Sequence, residues 1–161
     1  MKLQLKDTIP ESHIFHLIDG EPKKENIKEV FGQNKILLFG LPGAFTSTCS
    51  KIHLPGYVKN AEKIKAKGIE RIFCISVNDP YVMNAWGEAN NVGNNITMLA
   101  DPYLSFTKSI GAEVDRNSRG MGIRSSRYAM IIENLEVKNI QEEKETKSCD
   151  ISSAEGILDI I

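Results

Sequence analysis

No stretch of the 161-residue chain comes near the roughly eighteen consecutive apolar residues that a membrane-crossing helix requires. The amino end, MKLQLKDTIP, also lacks the apolar core of about seven residues that marks a secretory signal, so a cytoplasmic protein is expected. An excess of charge of one sign is missing as well. The 20 Lys and Arg nearly cancel the 21 Asp and Glu, and no basic run of about five residues occurs, which argues against nucleic acid or an anionic membrane as a partner. Cysteine is scarce: Cys49, Cys74 and Cys149 are odd in number and far apart. That argues against a disulfide scaffold, a structural zinc site and, with no C-x-x-C pair, a general dithiol oxidoreductase. Three such thiols fit a reducing compartment.

What is present suits one globular domain over residues 1–161, with 41% hydrophobic and 25% charged residues around a single core. The run Ile36-Leu37-Leu38-Phe39 is apolar without alternation and is followed by Gly40, Pro42 and Gly43 as breakers, as expected of a fully buried strand. Ile69 to Val77 and Ile96 to Ala100 read as further buried strands. Asp79-Pro80 opens a helix that turns Val82, Met83, Ala85, Trp86 and Ala89 toward the core. Asp101-Pro102 opens another with Tyr103, Phe106, Thr107 and Ile110 on one side. Beyond a glycine-rich loop at Asp115 to Gly122, Tyr128 to Ile132 and Leu135 to Ile140 flank Glu133-Asn134 as a hairpin. A capping box of Ser152 with Glu155 then starts a last helix. Near the amino end, His13 to Ile18 reads as an edge strand ending in a turn at Asp19-Gly20, followed by a short helix capped by Asn26. Strands alternating with helices argue an α/β fold, a largely parallel sheet covered on both faces.

Between the apolar run and the next amphipathic pattern, Leu54, Tyr57, Val58, Ala61 and Ile64, lies LPGAFTSTC, residues 41–49. With Thr46 as N-cap, Cys49 falls in the first helical turn, where unpaired backbone N–H groups and the positive end of the helix dipole favour a thiolate over a thiol. The neighbouring Ser47, Thr48 and Ser50 argue against a core-filling role for Cys49. Pro55, inside the amphipathic pattern, is expected to kink the helix and set the cysteine turn apart as a movable segment. His53, four residues after Cys49, superficially suggests a Cys–His pair or the edge of a metal site. No motif supplies the remaining ligands, so His53 is expected to hydrogen-bond near the pocket rim.

Pro42, Thr46 and Cys49 form the spacing P-x-x-x-T-x-x-C inside LPGAFTSTCSKIHLPGY. Together with KAKGIERIFCISVNDPYVMNAWG, LADPYLSFTKSIG and GIRSSRYAMII, this segment resembles the peroxiredoxins, specifically the type II or atypical two-cysteine group, along nearly the whole chain. One departure is Ser47, where that family commonly has proline. The resemblance implies a thioredoxin-like fold, a central mixed sheet covered by helices with an N-terminal extension. It implies a thiol-dependent peroxidase that reduces hydrogen peroxide and alkyl hydroperoxides through a Cys49 sulfenic acid. It also implies that Pro42 shields the thiolate, that Thr46 bonds a bound oxygen, and that Arg127, rather than Arg124, stabilises the thiolate and the leaving oxygen.

No flavin, haem or metal is implied, because the electrons come from the thiol. Thioredoxin, glutaredoxin or glutathione is the implied reductant and a homodimer the implied assembly. For resolution of the sulfenic acid the resemblance offers two cysteines. Cys149, in a polar run just before the last helix, is expected to be exposed and mobile, and its position resembles that of the resolving cysteine of the animal enzymes. Cys74 reads from its strand as a core residue, yet plant relatives carry a cysteine there that has been assigned a resolving role. A Cys49–Cys149 disulfide is expected, with a mixed disulfide to glutathione as the alternative. The rival reading, from a different class, is a non-catalytic redox sensor or holdase of the same fold acting through Cys49.

Overall fold

In the computed structural model, which describes residues 1–161, the apolar run at 36–39 is the heart of β3 (Lys35–Leu41). Its two faces are both buried. Ile36 and Leu38 enter one core while Leu37, Phe39 and Leu41 enter the other, as the two-residue side-chain period of a strand requires. β3 pairs in parallel with β4 (Arg71–Ser76), and β4 in parallel with β5 (Thr97–Ala100). On its other edge β3 pairs antiparallel with β8 (Tyr128–Glu133), whose hairpin partner is β9 (Glu136–Glu142). Gly40 proves to be part of β3 rather than a breaker. It stands opposite Tyr128, and a Cβ there would lie 2.3 Å from the Tyr128 ring, so only glycine fits.

The amino-terminal hairpin differs from expectation. β1 (His13–Ile18) is not at the edge. It lies between β5 and β2 (Glu21–Asn26), giving the order β2-β1-β5-β4-β3-β8-β9. β2 reads EPKKEN and has no strand signature. It forms because the turn at Asp19-Gly20 lays it against β1, and its Pro22 and lysines suit an exposed edge.

One face of the sheet is covered by α2 (Leu54–Ala66), α3 (Pro80–Ala89) and α5 (Ala154–Leu158), the other by α1 (Ile27–Phe31) and α4 (Ser105–Ser109). This mixed, doubly covered sheet with an amino-terminal hairpin is the thioredoxin-like α/β arrangement. Asp79 caps α3 through the Val82 N–H at 2.9 Å, as its spacing predicts. Ala85 and Ala89, however, face solvent, and Gly87 takes the buried place against Met98.

Asp101 does not open a helix directly. A turn with Leu104 at φ 60° intervenes, α4 starts at Ser105, and the Asp101 carboxylate accepts from the Phe106 and Thr107 N–H groups. Tyr103 consequently stays 77% exposed. The last helix is capped by Ser153, whose Oγ accepts from Gly156 N–H, and not by Ser152. The glycine-rich stretch is also more than a loop. It folds into a ribbon of β6 (Glu113–Asp115) and β7 (Ile123–Ser125) around a 3₁₀ turn at Asn117–Arg119.

Candidate active site

The loop after β3 delivers the cysteine. Thr46 stands where the helix begins, its carbonyl accepting the Ser50 N–H at 2.9 Å, but its hydroxyl does not cap the helix; it donates to the Gly43 carbonyl at 2.7 Å. The single hydroxyl hydrogen is thereby occupied, leaving only lone pairs to meet a substrate. Phe45, between Ala44 and Thr46, adopts φ 61° and is 60% exposed, a left-handed strain of about 1–2 kcal/mol held by the surrounding bonds. One of these is the Ala44 N–H to Asn78 Oδ1 at 3.0 Å. From Cys49 to His53 the helix widens into a π-turn closed by Leu54 N–H to the Cys49 carbonyl, and α2 follows with Pro55 in its first turn. The expected effect of Pro55 thus takes the form of a widened turn, which accommodates a residue that cannot donate.

Cys49 is 1% exposed and Arg127 is equally buried, and Arg127 Nη2 donates to Cys49 Sγ at 3.3 Å. The same guanidinium donates through Nε and Nη2 to the Thr146 carbonyl, at 3.1 and 2.9 Å, and through Nη1 to His53 Nδ1 at 2.8 Å. No carboxylate touches it. Glu143 acts on it only at a distance. A buried cation without a contacting anion is costly, and of the groups Arg127 touches only Cys49 Sγ can carry negative charge.

His53 is not at a rim. It is 1% exposed behind the cysteine, packed against the stacked rings of Phe39 and Tyr57. Because guanidinium can only donate, Nδ1 must accept, so the ring proton sits on Nε2 and is donated to the Ser152 carbonyl at 3.0 Å. Burial, then the Arg127 charge, lowers its pKa to about 3 against the pull of the Ser152 bond, so His53 is neutral. Both nitrogens are engaged, which removes it as a metal ligand or as a base for Cys49.

The carbonyl of Ser152 also accepts from the Tyr57 hydroxyl at 2.7 Å. Glu143 Oε1 gathers the Asp150 N–H, the Ser152 N–H and the Ser152 hydroxyl. Burial alone would raise the Glu143 carboxyl, but these bonds, aided by the Arg127 charge, outweigh it and leave the pKa lowered.

Cys149 sits in the segment that Glu143 pins. It is half-buried rather than exposed, and burial pushes its thiol up to about 11, with Arg127 opposing and Glu143 and Cys49 adding to the rise. Cys74 is fully buried in β4, in the same core as Cys49, and burial, then Cys49, raises its pKa well above the usual thiol value.

A cleft of about 190 Å³ opens over the cysteine, lined by Pro42, Thr46, Ser47, Thr48, Arg127 and Thr146, with Arg116, Arg119, Met121 and Lys147 completing it. Pro42, Thr46 and Arg127 converge on this cleft, and Arg127 links it to Cys49 through the bond to Sγ. Arg124 does not reach the cysteine: it donates to the Val77 and Met121 carbonyls and, at 3.5 Å, to the Pro42 carbonyl, bracing the ribbon against the catalytic loop. Sequence reasoning missed the Ser152 and Thr146 carbonyls, because backbone acceptors carry no residue-type signal, and the Asn78 and Glu143 side chains, because the N–H groups they accept from are marked by no residue type. It also missed Ser50, whose Oγ accepts from Trp86 Nε1 at 3.0 Å.

A redoxin family model matches residues 4–158. The chain is 41% identical over 154 residues to peroxiredoxin-2C of Oryza sativa subsp. japonica, covering 94% of each, and 38% identical over 153 residues to peroxiredoxin-2D of Arabidopsis thaliana, again covering 94% of each. Its fold superposes on reduced Prx3 from Vibrio vulnificus in complex with hydrogen peroxide with a TM-score of 0.92, at 44% identity and 98% coverage of both chains. A non-catalytic sensor or holdase is not favoured by such relatives. The chain belongs to the redoxin family as a type II peroxiredoxin, and is a thiol-dependent peroxidase.

Proposed function

We propose that Cys49 is the nucleophile of this peroxidase and that Arg127, Thr46 and Pro42 complete its site. The observation that carries the reading is the buried Arg127 guanidinium donating to Cys49 Sγ with no carboxylate in contact. The Cys49 thiolate attacks the terminal oxygen of a hydroperoxide, an S–O bond forms as the O–O bond breaks, and the departing oxygen takes a proton from water. The sulfur loses two electrons and is left as sulfenic acid. Thr46, with its hydrogen held by Gly43, accepts the O–H of the attacked oxygen, while Arg127 offers charge to the oxygen that leaves. Pro42, buried beside the cleft, limits water at the sulfur. The hydrogen peroxide complex of the Vibrio relative supports hydrogen peroxide as one substrate. With a thiol reductant, the purified protein should consume hydrogen peroxide and Cys49→Ser should reduce the rate to background; equal rates would refute the assignment.

Cys149, with Cys74 less favoured for its complete burial, is the proposed resolving cysteine. Glutathione is the alternative that forms a mixed disulfide. Thioredoxin, glutaredoxin or glutathione closes the cycle. Three free thiols fit a reducing compartment, which supports a cytoplasmic site of action. A homodimer is supported by Phe45, Ile52 and Tyr81, large side chains more than half exposed on segments joined through the Ala44–Asn78 and Trp86–Ser50 bonds.

A further inference from the structure

The cleft above Cys49 contains four cationic side chains, Arg116, Arg119, Arg127 and Lys147, and no acid. Arg127 belongs to the cysteine's own site, in contact with Cys49, His53 and Thr146, and Lys147 pairs with Glu145 at 2.9 Å. Arg116 and Arg119 have no ion pair and no side-chain hydrogen bond. Arg116 Nε is moreover shut off from water without any acceptor, a costly state for a charged donor.

The turn that carries them is firmly built. Arg116 N–H donates to the Gly122 carbonyl at 2.8 Å, the Arg116 carbonyl accepts from the Arg119 and Met121 N–H groups, and Asp115 Oδ1 accepts from Asn117 N–H at 2.7 Å. Arg124 fastens the same ribbon to the Val77 carbonyl beside the catalytic loop. An adjoining cavity of about 310 Å³ shares Arg116, Arg119, Thr146 and Lys147 with the cleft. The acids lining it, Asp115 and Glu145, are engaged by Asn117 N–H and Lys147 and leave both arginines free.

We propose that Arg116 and Arg119 form a carboxylate subsite on the open side of the cleft, seating the acid end of an organic hydroperoxide whose peroxide end reaches Cys49. The inference rests on the peroxidase reading of the same cleft and adds a substrate class to it. Planar guanidinium matches a carboxylate through paired N–H donors. Apart from Pro42 and Met121 the lining is polar, so an uncharged alkyl chain gains little there. The carboxylate is chemically unchanged by the turnover. It orients the molecule while sulfur is oxidised and the peroxide becomes an alcohol. Glutathione presents the same chemical group when it attacks the Cys49 sulfenic acid, and the two sources are separable.

The test follows the fluorescence of Trp86, the chain's single tryptophan, which is bonded to Ser50 beside Cys49, by rapid mixing. Reduced enzyme is oxidised with a straight-chain hydroperoxide bearing a terminal carboxylate and, separately, with its methyl ester. In the second arm, preformed sulfenic acid is reduced with glutathione and with its diethyl ester. The expected acid-to-ester rate ratio for oxidation is about tenfold, falling toward one in the Arg116→Gln/Arg119→Gln variant, as loss of charge-assisted bonds predicts. A ratio is insensitive to any general loss of activity in the variant. A ratio that collapses only in the glutathione arm overturns the hydroperoxide as occupant. Ratios of one in the wild type, or ratios unchanged by the substitutions, overturn the subsite. Failure of Cys49 to react even with hydrogen peroxide would instead overturn the peroxidase reading on which it rests.

Discussion

Arg127 touches a sulfur, an imidazole nitrogen and a carbonyl, and no carboxylate is in contact with it. Arg127→Met keeps much of the side-chain volume and removes the donor. Alkylation of Cys49 by iodoacetamide at neutral pH should then slow by about tenfold or more, the worth of a charge-assisted hydrogen bond. An unchanged rate would mean that the guanidinium does not sustain the thiolate.

His53 makes a second residue-scale prediction. Its folded pKa, about 3, lies below the ordinary histidine value of 6.5. Between those values the unfolded chain holds a proton on His53 that the folded chain does not. Stability therefore falls as pH is lowered from 6.5 toward 3, by up to about 1.4 kcal/mol per pH unit. Urea unfolding between pH 6.5 and 5, above the range of most carboxylates, should reveal this slope, and His53→Gln should flatten it. An equally steep slope in the variant would remove His53 as its source.

At the scale of the element, the segment between β9 and α5 is held at both ends of a hydrogen-bonded chain. Glu143 gathers Asp150 and Ser152, the Ser152 carbonyl accepts from His53 and Tyr57, and Arg127 binds Thr146. Cys149 inside this segment is half-buried with its pKa raised to about 11, which keeps it protonated at neutral pH. As a resolving cysteine it would therefore act after the segment loosens. Glu143→Gln weakens the anchor and should increase Cys149 labelling by a maleimide about tenfold, since bonds to a charged acceptor contribute more than neutral ones. Peroxide should remove two thiols from the wild type without a covalent dimer, and Cys149→Ser should lose thioredoxin-dependent turnover; full retention of that turnover would exclude Cys149 as resolver.

For the whole molecule, the β2–β1 hairpin extends the sheet on one side while the active-site loop, the π-turn and the start of α3 leave Phe45, Ile52 and Tyr81 uncovered. If these side chains meet a second copy, sedimentation at micromolar concentration should give a dimer. Ile52→Glu, exposed in the monomer, should shift it toward monomer by placing a charge in an apolar contact. A wild-type monomer throughout the range would exclude this assembly.

The sequence by itself determined the parts whose physics is local. The unbroken apolar run predicted β3, the Asp79-Pro80 pair predicted the start of α3, and the spacing from Thr46 to Cys49 put the thiol in a first helical turn. Arg127 was legible only through resemblance, because 78 residues separate it from Cys49 and nothing in its own neighbourhood signals burial. The polar β2 was invisible because its partner, not its composition, makes it a strand. Only the tertiary structure decided that His53 is neutral behind the cysteine, that Thr46 turns its hydroxyl to Gly43, that Cys149 is half-buried, and that Arg116 and Arg119 face the cleft unpaired. Protonation, hydrogen-bond direction and burial are set by atoms brought together from distant parts of the chain, and residue order alone does not encode their distances.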